Sequence, residues 1–348
     1  MTDKSEAENR RTPWDWMGAE ERRALRGTVR YAMLVLALLA VCVGPRPASA
    51  QTYPARKITI IVAFAAGGFA DTMARLVAQG LSDRLHQSVV VENRPGAGGN
   101  IAAELVARAP ADGYTLLATT TALAINDTLF QNKPFSASDL KTVAMVASSP
   151  EALATSAHNP ANTLPEFIKA LHGKVINFGS AGVGTGSHIE AEYFFKFLAK
   201  VPAQHIPFQG GAPAVNAAIA GQIDLLAATL GGGVAAQMNA GTIKGLGIAA
   251  ATRAAVVPNV PTYAEQGFTN FTASSWVGIF APAKTPPQIL AALNSAISDT
   301  VKSHDVQAKL IALGFDPIVS SQPAADAMFD AEVKKWGGMV KALNLSIK

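Results

Sequence analysis

The stretch "SAGVGTGSH", Ser180 to His188, lies between an apolar run, "KVINF" at 174–178, and an amphipathic segment, "IEAEYFFKFLAK" at 189–200. The pattern predicts a strand, a glycine-rich loop and a helix. Proteins bind anions in this arrangement because the first N–H groups of a helix lack intrahelical partners. The stretch therefore raises the question of which anion the loop binds.

The same alternation of short apolar runs with amphipathic segments continues on both sides of this stretch. Other predicted strands are 57–64, 88–93, 114–119, 140–148, 222–229 and 242–250. Other predicted helices are 69–85, 99–109, 164–171, 214–221, 286–300, 303–313 and 323–344. Strands that alternate with helices indicate an α/β fold with largely parallel sheets covered on both faces.

Two segments, 146–153 and 274–287, have the pattern of paired crossings between two lobes. They predict a first lobe built from residues 51–150 plus 278–348 and a second lobe built from 151–277. A cleft between two lobes is a preferred place for a ligand.

The N-terminus has the three parts of a secretory signal peptide. A basic region at 1–30 precedes an apolar run at 31–43, and Ala48-Ser49-Ala50 forms a small-x-small cleavage site. Thirteen apolar residues are too few to span about 30 Å of hydrocarbon as a helix. We therefore expect export to the periplasm with cleavage near Ala50.

The export route stays open between Sec and Tat, because "RRALR" at 22–26 matches a twin-arginine signal only in part. Lipoprotein processing at Cys42 fits less well than cleavage after Ala50. Removal of residues 1–50 also removes Cys42, the only cysteine, and so excludes disulfides and thiolate chemistry from the mature chain.

The mature chain has 21 basic and 19 acidic residues, a net charge of +2, and no basic stripe with interleaved aromatic residues. Nucleic acid is therefore not an expected partner. We also expect no metal and no cofactor.

Nucleotide and enzyme motifs do not match. Gly182 and Gly184 begin a Rossmann-like pattern, but the third glycine position holds Ser187, and 201–211 contains no carboxylate for a ribose. The chain contains no P-loop, no G-x-S-x-G and no H-E-x-x-H, and His188 is interpreted as a capping or packing residue.

Anion capture by backbone N–H groups is the remaining interpretation of the opening loop. Its glycines allow close approach, and Ser180, Thr185 and Ser187 add hydroxyl groups. An ordinary glycine turn with a hydroxyl N-cap is the alternative, but it needs fewer such residues.

Two further loops are predicted to follow strands. "AFAAGGFAD" at 63–71 contains Gly67-Gly68 and places Asp71 in the first helical turn, where a carboxylate is favourable without any ligand. "ATTTALAIN" at 118–126 ends a strand in hydroxyl groups. Loops at the carboxyl ends of strands are where open α/β sheets bind ligands.

These segments resemble the extracytoplasmic binding proteins of tripartite tricarboxylate transporters, also called the Bug family. The resemblance runs through the mature chain. It is most specific in "ENRPGAGGNIAAE", Glu92 to Glu104, and in "GSAGVGTGSH", Gly179 to His188. It implies a two-lobed periplasmic-binding-protein fold, type II-like, with a hinge and an interdomain ligand cleft.

The resemblance further implies a monomeric solute-binding protein that is not an enzyme, closes on a small carboxylate and delivers it to membrane permease subunits. A sensor component with the same fold and an exported enzyme acting on an acidic substrate are the alternatives. Residues and resemblance together indicate these ligand-binding positions: Ala65, Ala66, Gly67, Gly68, Phe69, Asp71, Thr119, Thr120, Ser180, Gly182, Val183, Gly184, Thr185, Ser187, His188, Gln209 and Thr229.

The chain departs from the family pattern at several of these positions. Ala65-Ala66 replaces the prolines common in the family, and Phe69-Ala70 replaces a glycine and a threonine. "AATLGGGVAAQ" at 227–237 places Thr229 and glycines where many relatives have a polar or acidic residue. The identity of the ligand therefore does not follow from the resemblance.

Overall fold

The computed structural model describes residues 16–42, 53–171 and 173–348, which fall into two compact units, Met1–Thr52 and Tyr53–Lys348. In the first unit, helix α1 extends over Ala19–Cys42 and contains most of the apolar run of the predicted signal peptide. No helix within the described ranges is long and apolar enough to cross a membrane. The predicted cleavage site at Ala50 lies outside the described residues.

In the second unit, strands and helices alternate along most of the chain. The strands are β1 Ile58–Val62, β2 Val89–Asn93, β3 Thr115–Thr120, β4 Leu140–Ser156, β5 Ile176–Ser180, β6 Ala203–Pro207, β7 Leu225–Thr229, β8 Ile243–Ile248, β9 Ser274–Pro282 and β10 Asp316–Pro317. The helices are α2 Phe69–Leu85, α3 Asn100–Ala107, α4 Ala122–Leu129, α5 Leu164–Ala170, α6 Gly186–Tyr193, α7 Gly211–Ile219, α8 Val234–Asn239, α9 Pro287–Lys302, α10 His304–Ala312 and α11 Gln322–Leu343.

The strands form one curled sheet with two parts. In the part that we call the first sheet, the order is β2-β1-β3-β9-β4, and β10 also pairs with β4. In the second sheet the order is β4-β7-β5-β6, and β8 also pairs with β4. Strands β1, β2 and β3 are parallel, as are β5, β6 and β7. Their carboxyl ends, and the loops that follow, therefore lie at a common edge of each sheet.

The long strand β4 is shared by both sheets. Its first part pairs antiparallel with β9, from Leu140 opposite Pro282 to Pro150 opposite Ser274. From Glu151 onward it pairs with β7 and β8. A single continuous strand thus changes partners at Pro150–Glu151, inside the first of the two predicted crossing segments.

Helices α9 and α11 pack on β4 in the region of the first sheet, and α11 also packs on α4. Trp336 of α11 is fully buried, and its indole N–H donates to Glu332 Oε2 at 2.8 Å. Trp276 of β9 donates to the same oxygen at 3.0 Å. These contacts join α11 to β9 of the first sheet.

Most predicted elements are confirmed, and α2 has the predicted bounds. Three of the differences from the predicted elements bear on the site. The hydroxyl-rich segment 118–126 is mostly the end of β3 and the start of α4, because a helix follows Thr121 directly. Helix α6 begins at Gly186, three residues before the predicted start, because Thr185 caps it. Strand β4 continues past 148 because its second part has its own partners.

Candidate ligand-binding site

A cavity of about 190 Å³ lies between loops and helices of the first sheet and those of the second. None of the described residues that line it is charged. From the first sheet and its loops come Phe64, Gly67, Gly68, Phe69, Ala70, Thr120 and Ser275. From the second come Ala181, Thr185, Gly186, Ser187, Gly211, Ala212, Val215, Asn216, Ala228, Thr229, Gly231, Gly232, Gly233, Val234 and Gln237.

The N-terminal end of α2 forms one wall, and the carboxylate of Asp71 holds it in place. The buried Asp71 accepts hydrogen bonds from the Gly67 N–H at 2.9 Å, from Asn93 Nδ2 at 2.9 Å and from Arg75 Nε at 3.0 Å. Burial alone raises the pKa of Asp71, but these hydrogen bonds and the charge of Arg75 outweigh it and lower that pKa. The carboxylate is therefore charged and fully used within the chain.

Phe69 lines the cavity and also stacks on Phe315, with ring centroids 5.2 Å apart and planes at 19°. The Phe69 ring therefore packs within the protein and forms part of the cavity wall at the same time. The backbone of Phe69 also touches the loop before α8. A Cβ built on Gly232 would lie 2.7 Å from the N and Cα atoms of Phe69, and Gly232 has φ +70°. A glycine is thus needed here for both close approach and backbone conformation.

The opening loop forms the second wall, where Thr185 is the N-cap of α6. Its Oγ1 accepts from the His188 N–H at 3.3 Å and donates to the Gly182 carbonyl at 2.7 Å. Ser187 Oγ accepts from the Ala181 N–H at 3.4 Å. Thr185 and Ser187 line the cavity, whereas Ser180 is fully buried behind it.

His188 belongs to a buried aromatic stack rather than to the cavity. Its ring lies 3.9 Å from that of His205, and its Nδ1 accepts from the Gly184 N–H at 3.2 Å. Burial lowers the pKa of His188 to about 3, helped by His205, and burial lowers that of His205 to about 4. Both rings are therefore neutral at physiological pH, and His205 Nε2 pairs with Ser180 Oγ at 2.6 Å.

Loops of the first and second sheets also meet beside the cavity. The Ala65 N–H donates to the Gln209 carbonyl at 3.2 Å. A Cβ on Gly98 would lie 2.2 Å from the Val183 carbonyl oxygen. These contacts involve mainly backbone, so both sides approach closely where a side chain would prevent it.

A buried carboxyl lies next to the cavity. Glu151 of β4 is fully buried and accepts from Ser275 Oγ at 2.5 Å and from Thr229 Oγ1 at 3.2 Å. Burial raises the pKa of Glu151 to about 7 against the lowering effect of these two hydrogen bonds. Glu151 is not among the predicted site residues, because a carboxyl within an apolar strand matches no motif.

The predicted site residues fall into three groups. Those that line the cavity are Gly67, Gly68, Phe69, Thr120, Thr185, Ser187 and Thr229. Those that line an adjoining cavity of about 390 Å³ are Gly182, Val183 and Gln209. Those that line neither cavity are Ala65, Ala66, Asp71, Thr119, Ser180, Gly184 and His188. Contact between a ligand and any residue of the three groups stays a prediction.

Several residues that line the cavity are not among the predicted site residues. Gly211, Ala212 and Asn216 lie at the start of α7, where "QGGAPAVN" at 209–216 repeats the glycine-loop and helix pattern of the other two walls. That repetition was a usable signal. Ser275 lies in a strand and had no comparable signal. Within the described ranges, no group of three or more His, Cys, Asp or Glu is arranged to hold a metal.

Comparison with known proteins identifies relatives over most of the chain. A family model described as the tripartite tricarboxylate transporter family receptor matches residues 73–345. Protein BugT of Bordetella pertussis is 34% identical over 312 residues, which are 87% of this chain and 94% of BugT.

Solved structures show the same relationship. MatC from Rhodopseudomonas palustris with bound malate is 32% identical, with a TM-score of 0.78 over 83% of this chain and 100% of that one. A second R. palustris protein, solved with adipate, is 28% identical, with a TM-score of 0.81 over 84% of this chain and 99% of that one. The periplasmic binding protein BugD is 27% identical, with a TM-score of 0.81 over 85% and 100%.

Proposed function

We propose, from the premise that this chain belongs to the family of tripartite tricarboxylate transporter receptors, that its cavity captures a small organic carboxylate for delivery to a membrane permease. The match over residues 73–345 confirms the resemblance found in the sequence. The family is one of solute-binding receptors with a two-lobed fold. We propose accordingly that the protein performs no catalysis.

The observation that carries this proposal is the convergence of three helix starts on one uncharged cavity. Gly68 precedes α2, Thr185 precedes α6 and Gly211 begins α7, and all three line the cavity. Helix N-termini attract anions through free N–H groups and the helix dipole. An acid held in this way needs no arginine, and water can bridge the remaining distance.

The ligand class follows from the size of the cavity and from the relatives. A volume of about 190 Å³ suits a small acid. Two similar proteins are known with malate and with adipate, both dicarboxylates. We therefore expect a short mono-, di- or tricarboxylate rather than a larger solute.

Delivery to a permease requires export and a change of shape. Residues 1–50 act as the cleaved signal in this proposal, and the mature monomer works in the periplasm. The lobes are residues 51–150 plus 278–348 and residues 151–277. Ligand binding shifts them toward a closed form that the permease subunits recognise. The change of β4 partners at Pro150–Glu151 supports this division.

A thermal-shift panel of mono-, di- and tricarboxylates tests the proposal. An acid present at 100 times its Kd should raise the free energy of unfolding by about 2.7 kcal/mol. Neutral diamides of the same length serve as matched controls and should have no effect. If no acid raises the melting temperature, or if the diamides raise it equally, carboxylate capture is wrong.

A further inference from the structure

Two hydroxyl groups that line the cavity share one buried acceptor. Ser275 of β9 and Thr229 of β7 both donate to the carboxyl of Glu151, Ser275 at 2.5 Å and Thr229 at 3.2 and 3.3 Å to the two oxygens. Thr121 Oγ1 lies 2.9 Å from Ser275 Oγ. We call these four residues the buried carboxyl cluster.

Each hydroxyl has one hydrogen and two lone pairs. When Glu151 is ionised it is an acceptor, so Ser275 and Thr229 direct their hydrogens to it. Only oxygen lone pairs of these two residues then remain for a ligand. The hydrogen on Thr121 points to Ser275 in the same arrangement, because the hydrogen of Ser275 is already used.

The surroundings keep this carboxyl away from water. A Cβ on Gly186, in the first turn of α6, would lie 2.6 Å from Glu151 Oε1. The titratable neighbours are Glu190 of α6 and Tyr263, and the Tyr263 hydroxyl donates to Glu190 Oε1 at 2.5 Å. Glu190 Oε2, also buried, has no hydrogen-bond partner. The two neighbouring strands, β7 and β9, present the neutral hydroxyls of Thr229 and Ser275 to Glu151.

We propose that Glu151 determines specificity in the cavity: when ionised, it makes Ser275 and Thr229 accept rather than donate, so the site prefers an acid that carries a hydroxyl or ammonium group over the same acid without one. This inference rests on the proposed function, because it concerns the carboxylate bound in the same cavity.

Binding of an acid without such a group is then coupled to proton uptake. A proton from solvent adds to one oxygen of Glu151, and the resulting O–H donates to Thr229 Oγ1. The hydrogen of Thr229 becomes free to turn toward the ligand carboxylate. The negative ligand favours the same change, since two neighbouring negative charges raise the pKa of a carboxyl group. Because burial already raises the pKa of Glu151 to about 7, the exchange falls near neutral pH.

Titration calorimetry with succinate and malate, which differ by one hydroxyl group, tests this inference. Measurements from pH 6 to pH 8 in buffers of different ionisation enthalpy count the protons taken up. We expect the Kd of succinate to rise about tenfold over this range, with proton uptake near pH 7. The Kd of malate should change much less.

Glu151→Gln keeps the shape of the side chain and removes its titration. The amide N–H₂ of Gln donates to the hydroxyls, so succinate binding should lose its pH dependence and the preference for malate should fall. Thr229→Val is the second variant: it removes the hydroxyl that accepts from protonated Glu151 and turns toward the ligand, so it should reduce both the preference for malate and the proton uptake with succinate. Glu190→Gln is the matched control: burial raises the pKa of Glu190 to about 8, so this carboxyl is already neutral where Glu151 titrates, and proton uptake should be retained with its midpoint near the same pH.

Equal proton uptake by the wild type and Glu151→Gln would overturn the inference, as would a succinate Kd that is independent of pH in the wild type. Either result leaves carboxylate capture intact. Absence of binding by every acid at every pH would overturn both proposals.

Discussion

Asp71 combines the features of a ligand contact with the role of an internal support. It is one of the predicted site residues, yet its carboxylate is used by Gly67, Asn93 and Arg75. We therefore expect it to act on binding through the position of the Gly67–Gly68 loop.

Asp71→Ala should lower the free energy of unfolding by about 1–3 kcal/mol, because it removes the hydrogen bonds that this buried carboxylate accepts. It should also weaken binding of an acid. Chemical denaturation and calorimetry measure the two effects. Glu104→Ala is the control: it breaks another pair spaced i,i+4, Glu104–Arg108 at 2.9 Å, where Arg108 is largely exposed. Exposed ion pairs of this kind contribute roughly 0–1 kcal/mol to the free energy of unfolding. Equal losses of stability in Asp71→Ala and Glu104→Ala would therefore contradict the role of Asp71 as an internal support.

Gly232 permits the closest approach between the second sheet's loops and α2. Gly232→Ala should weaken ligand binding about tenfold or more. The added Cβ would lie 2.7 Å from the Phe69 backbone when the loop before α8 lies against the start of α2, and so would oppose that arrangement. Gly241 is a matched control, with φ +69° against +70° and nothing within 4 Å of a Cβ. Gly241→Ala should reduce stability by about 1–2 kcal/mol and leave the Kd unchanged. Similar Kd values for the two variants would exclude the steric role.

At the scale of elements, the residue that caps α6, Thr185, contributes both to stability and to the lining of the cavity. Thr185→Ala removes an acceptor for the His188 N–H and a donor to the Gly182 carbonyl. We expect a loss of about 1 kcal/mol in the free energy of unfolding, and weaker binding because the start of α6 lines the cavity. Urea denaturation measures the loss. Thr185→Ser should restore most of it, and failure of serine to do so would show that packing of the methyl group matters instead.

The elements themselves were largely predictable, because apolar periodicity indicates where strands and amphipathic helices lie. Helix α4 was not predicted, because Thr119, Thr120 and Thr121 favour a loop or strand by composition, whereas in the structure α4 begins at Ala122, directly after them. Glycine loops at α2 and α6 indicated two walls of the cavity. Ser275 and Glu151 were missed because β4 and β9 bring them together from positions 124 residues apart.

For the whole molecule, buried titratable groups determine how stability depends on pH. His188 and His205 have pKa values near 3 and 4 in the folded state against 6.5 in the unfolded chain, so stability increases with pH until about 6.5. Glu151 and Glu190, raised by burial from 4.5 to about 7 and 8, hold their protons longer when folded, so they reduce stability as pH rises from about 4.5.

The two effects oppose each other between about pH 4.5 and 6.5, where we expect a plateau in the free energy of unfolding. At pH values below the plateau, the free energy of unfolding should decrease as pH falls. Between about pH 6.5 and 8 it should decrease as pH rises, by up to about 1.4 kcal/mol per pH unit for each proton involved. Urea titrations from pH 4 to 9 measure this profile. Glu190→Gln should reduce the alkaline decline, and a wild-type stability that rises through pH 8 would contradict it.

The backbone contacts at Gly232, Gly98 and Ala65 also have an evolutionary consequence. They bring the two sides together without any side chain that chooses a ligand, whereas Phe69, Thr229 and Asn216 line the cavity without making these contacts through their side chains. The positions whose backbone joins the two sides are thus separate from the positions whose side chains line the cavity. A descendant of this protein can therefore alter the lining of the cavity by single substitutions while it keeps the backbone contacts that join the two sides.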